Sequence, residues 1–165
     1  MNLSILNVLP WIEWIAASRL GQAISTSTWA FAVIESIHLL ALAVIGGAVL
    51  VVDLRLLGFA FQRQKVGELA RVAQPWFLWS LFGMLLTGFI LFLSLAASKY
   101  YVHTYFWVKM YFLAGAMIFS FTVRQWIIMG DDVRANSGLA KLVAIVSLFL
   151  WSGVGFAGKA IGYIS

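Results

Sequence analysis

Four hydrophobic runs dominate this chain, at about 29–52, 75–97, 105–129 and 139–163. Each is long enough to cross a hydrocarbon core of ~30 Å as a helix rising ~1.5 Å per residue. In water the same runs would expose more contiguous apolar surface than a soluble domain tolerates. Charged residues make up only 10% of the chain, against about 25% in a soluble domain whose surface must be hydrated. The expected fold class is all-α: an integral membrane four-helix bundle, forming one domain over residues 1–165.

A shorter segment precedes the first run. Residues 2–23 place Ile5, Leu9, Trp11, Ile12 and Trp14 at helical spacing, interrupted by Pro10, Glu13 and Arg19. No basic stretch opens it, so it does not read as a signal peptide. It reads as a short amphipathic helix lying in the interface, with its tryptophans at headgroup level.

The connectors set the expected orientation. Arg55, Arg63, Lys65, Arg71, Arg124, Arg134 and Lys141 gather at the ends joining the first span to the second and the third to the fourth. The other side carries Arg19 and Lys99, while Lys109 and Lys159 lie within runs. Basic residues beside span ends favour the cytoplasm, so both termini are expected on the outer, periplasmic face of a bacterial inner membrane. The net charge of +5 is explained by this placement, and nucleic acid is not an expected partner. The chain has no cysteine, which excludes disulfides, thiolate metal sites and covalent c-type haem.

Ionisable groups inside a bilayer are costly and need partners, water or a task. Four stand out, away from the basic ends of the runs: Glu35, His38, Lys109 and Lys159. Counted from the outer span ends, Glu35 lies about 9 Å deep, His38 about 14 Å, and the two lysines about 6–8 Å. All four belong to one leaflet, and a single pocket opening outward is the expectation. Glu35 and His38, three residues apart, have the spacing of a two-ligand metal motif, but the other spans supply no carboxylates to complete a di-iron centre. His38 alone suits an axial haem ligand. His103, in the outer turn, lies roughly 15 Å shallower and makes a weak second ligand. Lys109 and Lys159 are then placed to meet propionates, and Ser152, Gly155, Gly158 and Gly162 leave a smooth groove beside Lys159.

Each residue also has a plainer role. Glu35 and Lys109 make a structural ion pair, Lys159 snorkels to the interface, and His38 bonds across helices. Asp53 and Arg124 read as a salt bridge at the span ends. Trp107, Tyr111 and Trp151 read as packing or interface aromatics. No phosphate-binding glycine loop, nucleophile elbow or His-Glu-x-x-His motif occurs.

The run from Glu35-Ser-Ile-His38 through Gly46-Gly47 to Asp53-Leu-Arg55-Leu-Leu-Gly58 resembles a family of small bacterial four-helix membrane proteins of largely unassigned function. Phe106-Trp-Val-Lys109-Met is similar to that family's second element. More distantly, a His early in one helix and a Lys early in a later one resemble HemJ-type protoporphyrinogen oxidases and copper-resistance D domains. The HemJ-type resemblance implies a haem-associated bundle with a working histidine and lysine, here His38 and Lys109. It also implies a further histidine about three turns after the lysine, where this chain has residues such as Ser120.

The leading expectation is an inner-membrane redox protein binding haem b or a similar cofactor through His38. Glu35 balances the histidine, Lys109 and Lys159 hold anionic groups, and a quinone or redox protein exchanges electrons. The alternative is a cofactor-free membrane subunit or scaffold, which includes assembly as a homo-oligomer. A small-solute or metal permease is the remaining reading, and four helices enclose little lumen for one.

Overall fold

A computed structural model describes residues 27–93, 104–130 and 132–164. The expected interfacial helix at 2–23 and the outer turn with Lys99 and His103 lie outside the described residues. Four long helices carry the fold, and no strand occurs among the described residues. They are α1 (Thr28–Leu57), α2 (Val66–Leu91), α3 (Thr104–Phe119) and α6 (Gly138–Ile164). The third span continues from α3 through a π-helical turn (Ser120–Arg124) into α4 (Gln125–Ile128), and α5 (Asp132–Ala135) sits in the connector that follows. All four spans are long and apolar enough to cross a membrane, which makes this a multi-pass membrane protein.

Local chemistry fixes where α1 begins and ends. Ser27 caps it, its hydroxyl accepting from the Ala30 amide at 3.3 Å. Its end falls at Gly58, in the left-handed region at φ 81°, where a side chain would be strained. The Gly58 and Phe59 amides turn back to the carbonyls of Arg55 and Leu54 at 3.1 and 3.0 Å. Asp53 and Arg55 therefore lie inside the helix, whereas the sequence reading ended the span at Val52. The helix runs on because both charges find partners within the fold: Asp53 meets Arg124, and Arg55 donates to Gln64 O and Asn136 Oδ1 at 2.8 and 3.2 Å.

The start of α2 is a further correction. It begins at Val66, so Pro75 lies inside the helix and not in its first turn. The apolar face Val66, Ala70, Ala73 already runs at helical spacing ahead of the proline, and Phe77 continues it beyond. Packing of that face against Ile127 and Ile128 outweighs the hydrogen bond that Pro75 cannot donate.

The chain packs α1 along α2 and α6, and α6 along α3. One face of α1 enters the core through His38, Ile45, Val49, Val52 and Leu56. In the half beside the α1–α2 connector, the inner half in the expected orientation, Val52 and Leu56 meet Val66, Ile127, Val143 and Ala144. In the middle, Ile45 and Val49 meet Phe77, Met84, Trp151 and Val154. Phe77 and Trp151 meet edge to face at 5.6 Å between ring centroids. The buried Trp151 indole donates to Ser120 Oγ at 3.1 Å, so the π turn supplies the acceptor that this ring needs. The outward faces are studded with Leu40, Trp79, Phe89, Phe149 and Phe156, surfaces that lipid covers.

Candidate functional site

Among the described residues, two pairs of ionisable side chains meet within this apolar interior, one in each half of the bundle. The inner one is the expected salt bridge, Arg124 Nε to Asp53 Oδ1 at 2.9 Å. It lies inside the bundle, with Asp53 fully buried, and not at an exposed span end. Arg124 Nη2 also reaches the Val49 carbonyl at 3.5 Å. The pair closes α1 against the third span, and its charges are matched one to one.

The outer grouping centres on His38, which is only 7% exposed. Its Nδ1 lies 3.0 Å from Thr87 Oγ1 on α2. Thr87 spends its own proton on the Gly83 carbonyl at 2.7 Å, the back-bonding common to threonine in helices. With that proton committed, the hydroxyl accepts from His38, which places the ring hydrogen on Nδ1. Nε2 is then the bare nitrogen, and Lys109 Nζ on α3 donates to it at 3.3 Å. A chain of donors thus runs from Lys109 through His38 and Thr87 to the backbone of α2.

Two glycines make the arrangement fit. A Cβ at Gly88 would stand 3.1 Å from His38 Cε1, so α2 comes as close to the imidazole as a bare backbone permits. A Cβ at Gly158 on α6 would stand 3.5 Å from Lys109 Nζ and 3.6 Å from its Cε. Gly158 thus borders the lysine, as part of the small-residue groove that the sequence suggested.

Of the four residues expected to converge, the structure joins His38 and Lys109. Glu35 is exposed on α1 and Lys159 is exposed on α6. Both lie near the expected depth, but helix rotation turns them out. Three residues turn a helix by about 300°, which moves Glu35 some 60° off the His38 face. Lys159 follows Gly158 directly, and one residue is about 100° of turn. Sequence reasoning missed Thr87 and Gly88. The signal was a Thr-Gly step in the otherwise apolar run Leu85-Leu86-Thr87-Gly88-Phe89, near the outer end of its span.

What the pair offers chemically is an imidazole with one nitrogen anchored, beside an amine on a long unbranched stem. The described residues hold no group of three or more His, Cys, Asp or Glu side chains able to bind a metal ion, so a carboxylate-bridged centre is absent from them. Any metal held at His38 would take its further ligands from the cofactor itself or from other residue types.

Helices, burial and site together define a small four-helix integral membrane protein with a histidine–lysine pair in one half of its interior. The chain belongs to DUF6644, a family of unknown function whose model matches residues 11–164. No curated protein and no solved structure matches it.

Proposed function

We propose that the chain is a membrane redox protein that binds haem b through His38. The observation that carries this reading is the state of the His38 ring, with Nδ1 bonded to Thr87 and the lone pair of Nε2 turned toward the third span. A histidine that ligates iron needs this division of labour, one nitrogen bare and the other held by an outer acceptor that fixes the ring. Lys109 adds a cation at the right depth for a propionate. The donor set therefore fits a haem held on one side by His38, on condition that Lys109 moves off Nε2. When bound, the group supplies a one-electron couple. The chain's own residues orient the ligand, hold an anionic group at Lys109 and exclude water through the apolar bundle. Glu35 and Lys159 stay outside this set, at the bundle surface. A quinone or a redox protein is the electron partner this reading calls for.

The experiment is a visible spectrum of the protein purified in mild detergent, oxidised and dithionite-reduced. A Soret band present in the wild type and lost in His38→Ala is the expected result. A colourless preparation from haem-replete cells would overturn it.

A second reading, a cofactor-free subunit or scaffold, is favoured by the direct Lys109–His38 contact, which gives the His38 Nε2 lone pair a partner without a ligand. It expects no chromophore, and a stability loss as the main effect of His38→Ala. Under either reading the orientation proposed has the basic α1–α2 and third–fourth loops on the cytoplasmic side of a bacterial inner membrane and both termini outside, which the charge bias of those connectors supports.

A further inference from the structure

His38 and Lys109 differ in their freedom to move. The imidazole is held on two sides, by Thr87 Oγ1 at 3.0 Å and by the bare backbone of Gly88 against Cε1. Lys109 reaches the pair on a flexible four-carbon stem, and its one hydrogen bond among the described residues is to Nε2. The outer half of that stem runs past Gly158, where even a Cβ would make only ordinary contact with Nζ, Cε and Cδ at 3.5–3.8 Å. The lysine stem therefore lies along bare backbone at this point of α6, with no side chain from position 158 beside it. No carboxylate among the described residues serves as its counter-ion. Glu35 faces outward, and Asp53 is taken by Arg124 about 22 Å further along α1. An ammonium has three donors, and one imidazole lone pair uses one of them. In an apolar medium the remainder attract an oxygen anion.

We propose that Lys109 is a latch on His38. Without an anion it caps Nε2; when a carboxylate enters the outer half of the bundle, Lys109 swings past Gly158 to meet it and uncovers Nε2. The ligand class is an amphiphile bearing a carboxylate, a chemistry that a haem propionate and a fatty acid share. The inference rests on His38 as the working group, but the latch itself is testable without haem.

Diethylpyrocarbonate acylates an imidazole nitrogen whose lone pair is free, and peptide mass spectrometry reads the modification at His38. The full chain in detergent is compared with Lys109→Met, with the His103 peptide as the reference for reagent activity. His38 in Lys109→Met is expected to react about tenfold faster than in the wild type, the factor that loss of one charge-assisted hydrogen bond represents. Laurate is expected to speed the wild type toward the variant's rate and to leave the variant unchanged. Equal rates in the two proteins would overturn the cap. A wild-type rate indifferent to laurate would overturn release by a carboxylate, and that arm needs no variant to fold. Hemin separates the two proposals. Protection of His38 by hemin supports ligation, whereas laurate acceleration without hemin protection leaves the latch standing and removes the haem reading.

Discussion

The ion pair in the inner half gives the most quantitative test of the packing. Asp53 is fully buried and Arg124 is 8% exposed, and they meet at 2.9 Å among Val52, Leu56 and Ile127. The second carboxylate oxygen, Oδ2, makes no close hydrogen bond among the described residues, and the buried Ser147 hydroxyl is the side chain near enough to the carboxylate to donate to it at longer range. Asp53→Ala strands a guanidinium whose other hydrogen bond among the described residues is a 3.5 Å approach to Val49 O. Stranding one member of a buried pair costs about 3–5 kcal/mol. Arg124→Ala strands a carboxylate that is already short of one partner, with a cost in the same range. Removing both leaves no uncompensated charge, only lost packing around a shortened arginine stem. The double variant is therefore expected to fall short of the summed single effects by ~2 kcal/mol or more, a coupling typical of directly bonded residues. The assay is equilibrium unfolding in mixed micelles of dodecylmaltoside and dodecyl sulfate, followed by tryptophan fluorescence. Additivity within about 0.5 kcal/mol would refute the reasoning, because independent sites behave that way.

Other outcomes follow from single contacts. Gly153→Ala places a methyl group on the Phe112 ring, and it should destabilise the α3–α6 contact by about 1–2 kcal/mol in the same assay, overpacking outweighing the gain in helix propensity. Thr87→Val removes the acceptor of His38 Nδ1 at nearly constant volume and should cost about 1–3 kcal/mol, while Thr87→Ser keeps the hydroxyl and should recover most of it. Cysteine at Gln64, exposed in the connector after α1, should resist an impermeant maleimide in intact cells and react after permeabilisation. The native chain has no thiol to confuse that labelling.

The spans were legible in the sequence because hydrophobic length alone decides them in a bilayer. Their ends were less so, and for identifiable reasons. Asp53 and Arg55 read as the stop of the first span, since a charge in a run ordinarily marks the interface. Their partners Arg124 and Asn136 lie far along the chain, so only the folded bundle shows that the helix continues to Leu57. Pro75 likewise read as a helix start, because local propensity does not contain the packing of Val66 and Ala70 against the third span. At the candidate site, counting residues put His38 and Lys109 in the same half of the bundle at different depths, and the long lysine stem closes that gap to 3.3 Å. Depth says nothing about azimuth, and so Glu35 and Lys159 were gathered into a pocket from which helix rotation excludes them. Thr87 escaped because a lone threonine in an apolar helix usually bonds only its own backbone. Here it does that and receives His38 as well, since one hydroxyl both donates and accepts.

The central claim, that His38 is the working ligand of a haem-binding bundle, is tested most directly by haem content per chain. Wild-type protein and His38→Ala are expressed together in haem-replete cells, and bound haem is measured as its pyridine complex against protein concentration. The unfolding assay confirms that the variant is folded. The account predicts substantial haem in the wild type and close to none in folded His38→Ala. Haem absent from both, or equal in both, would contradict it.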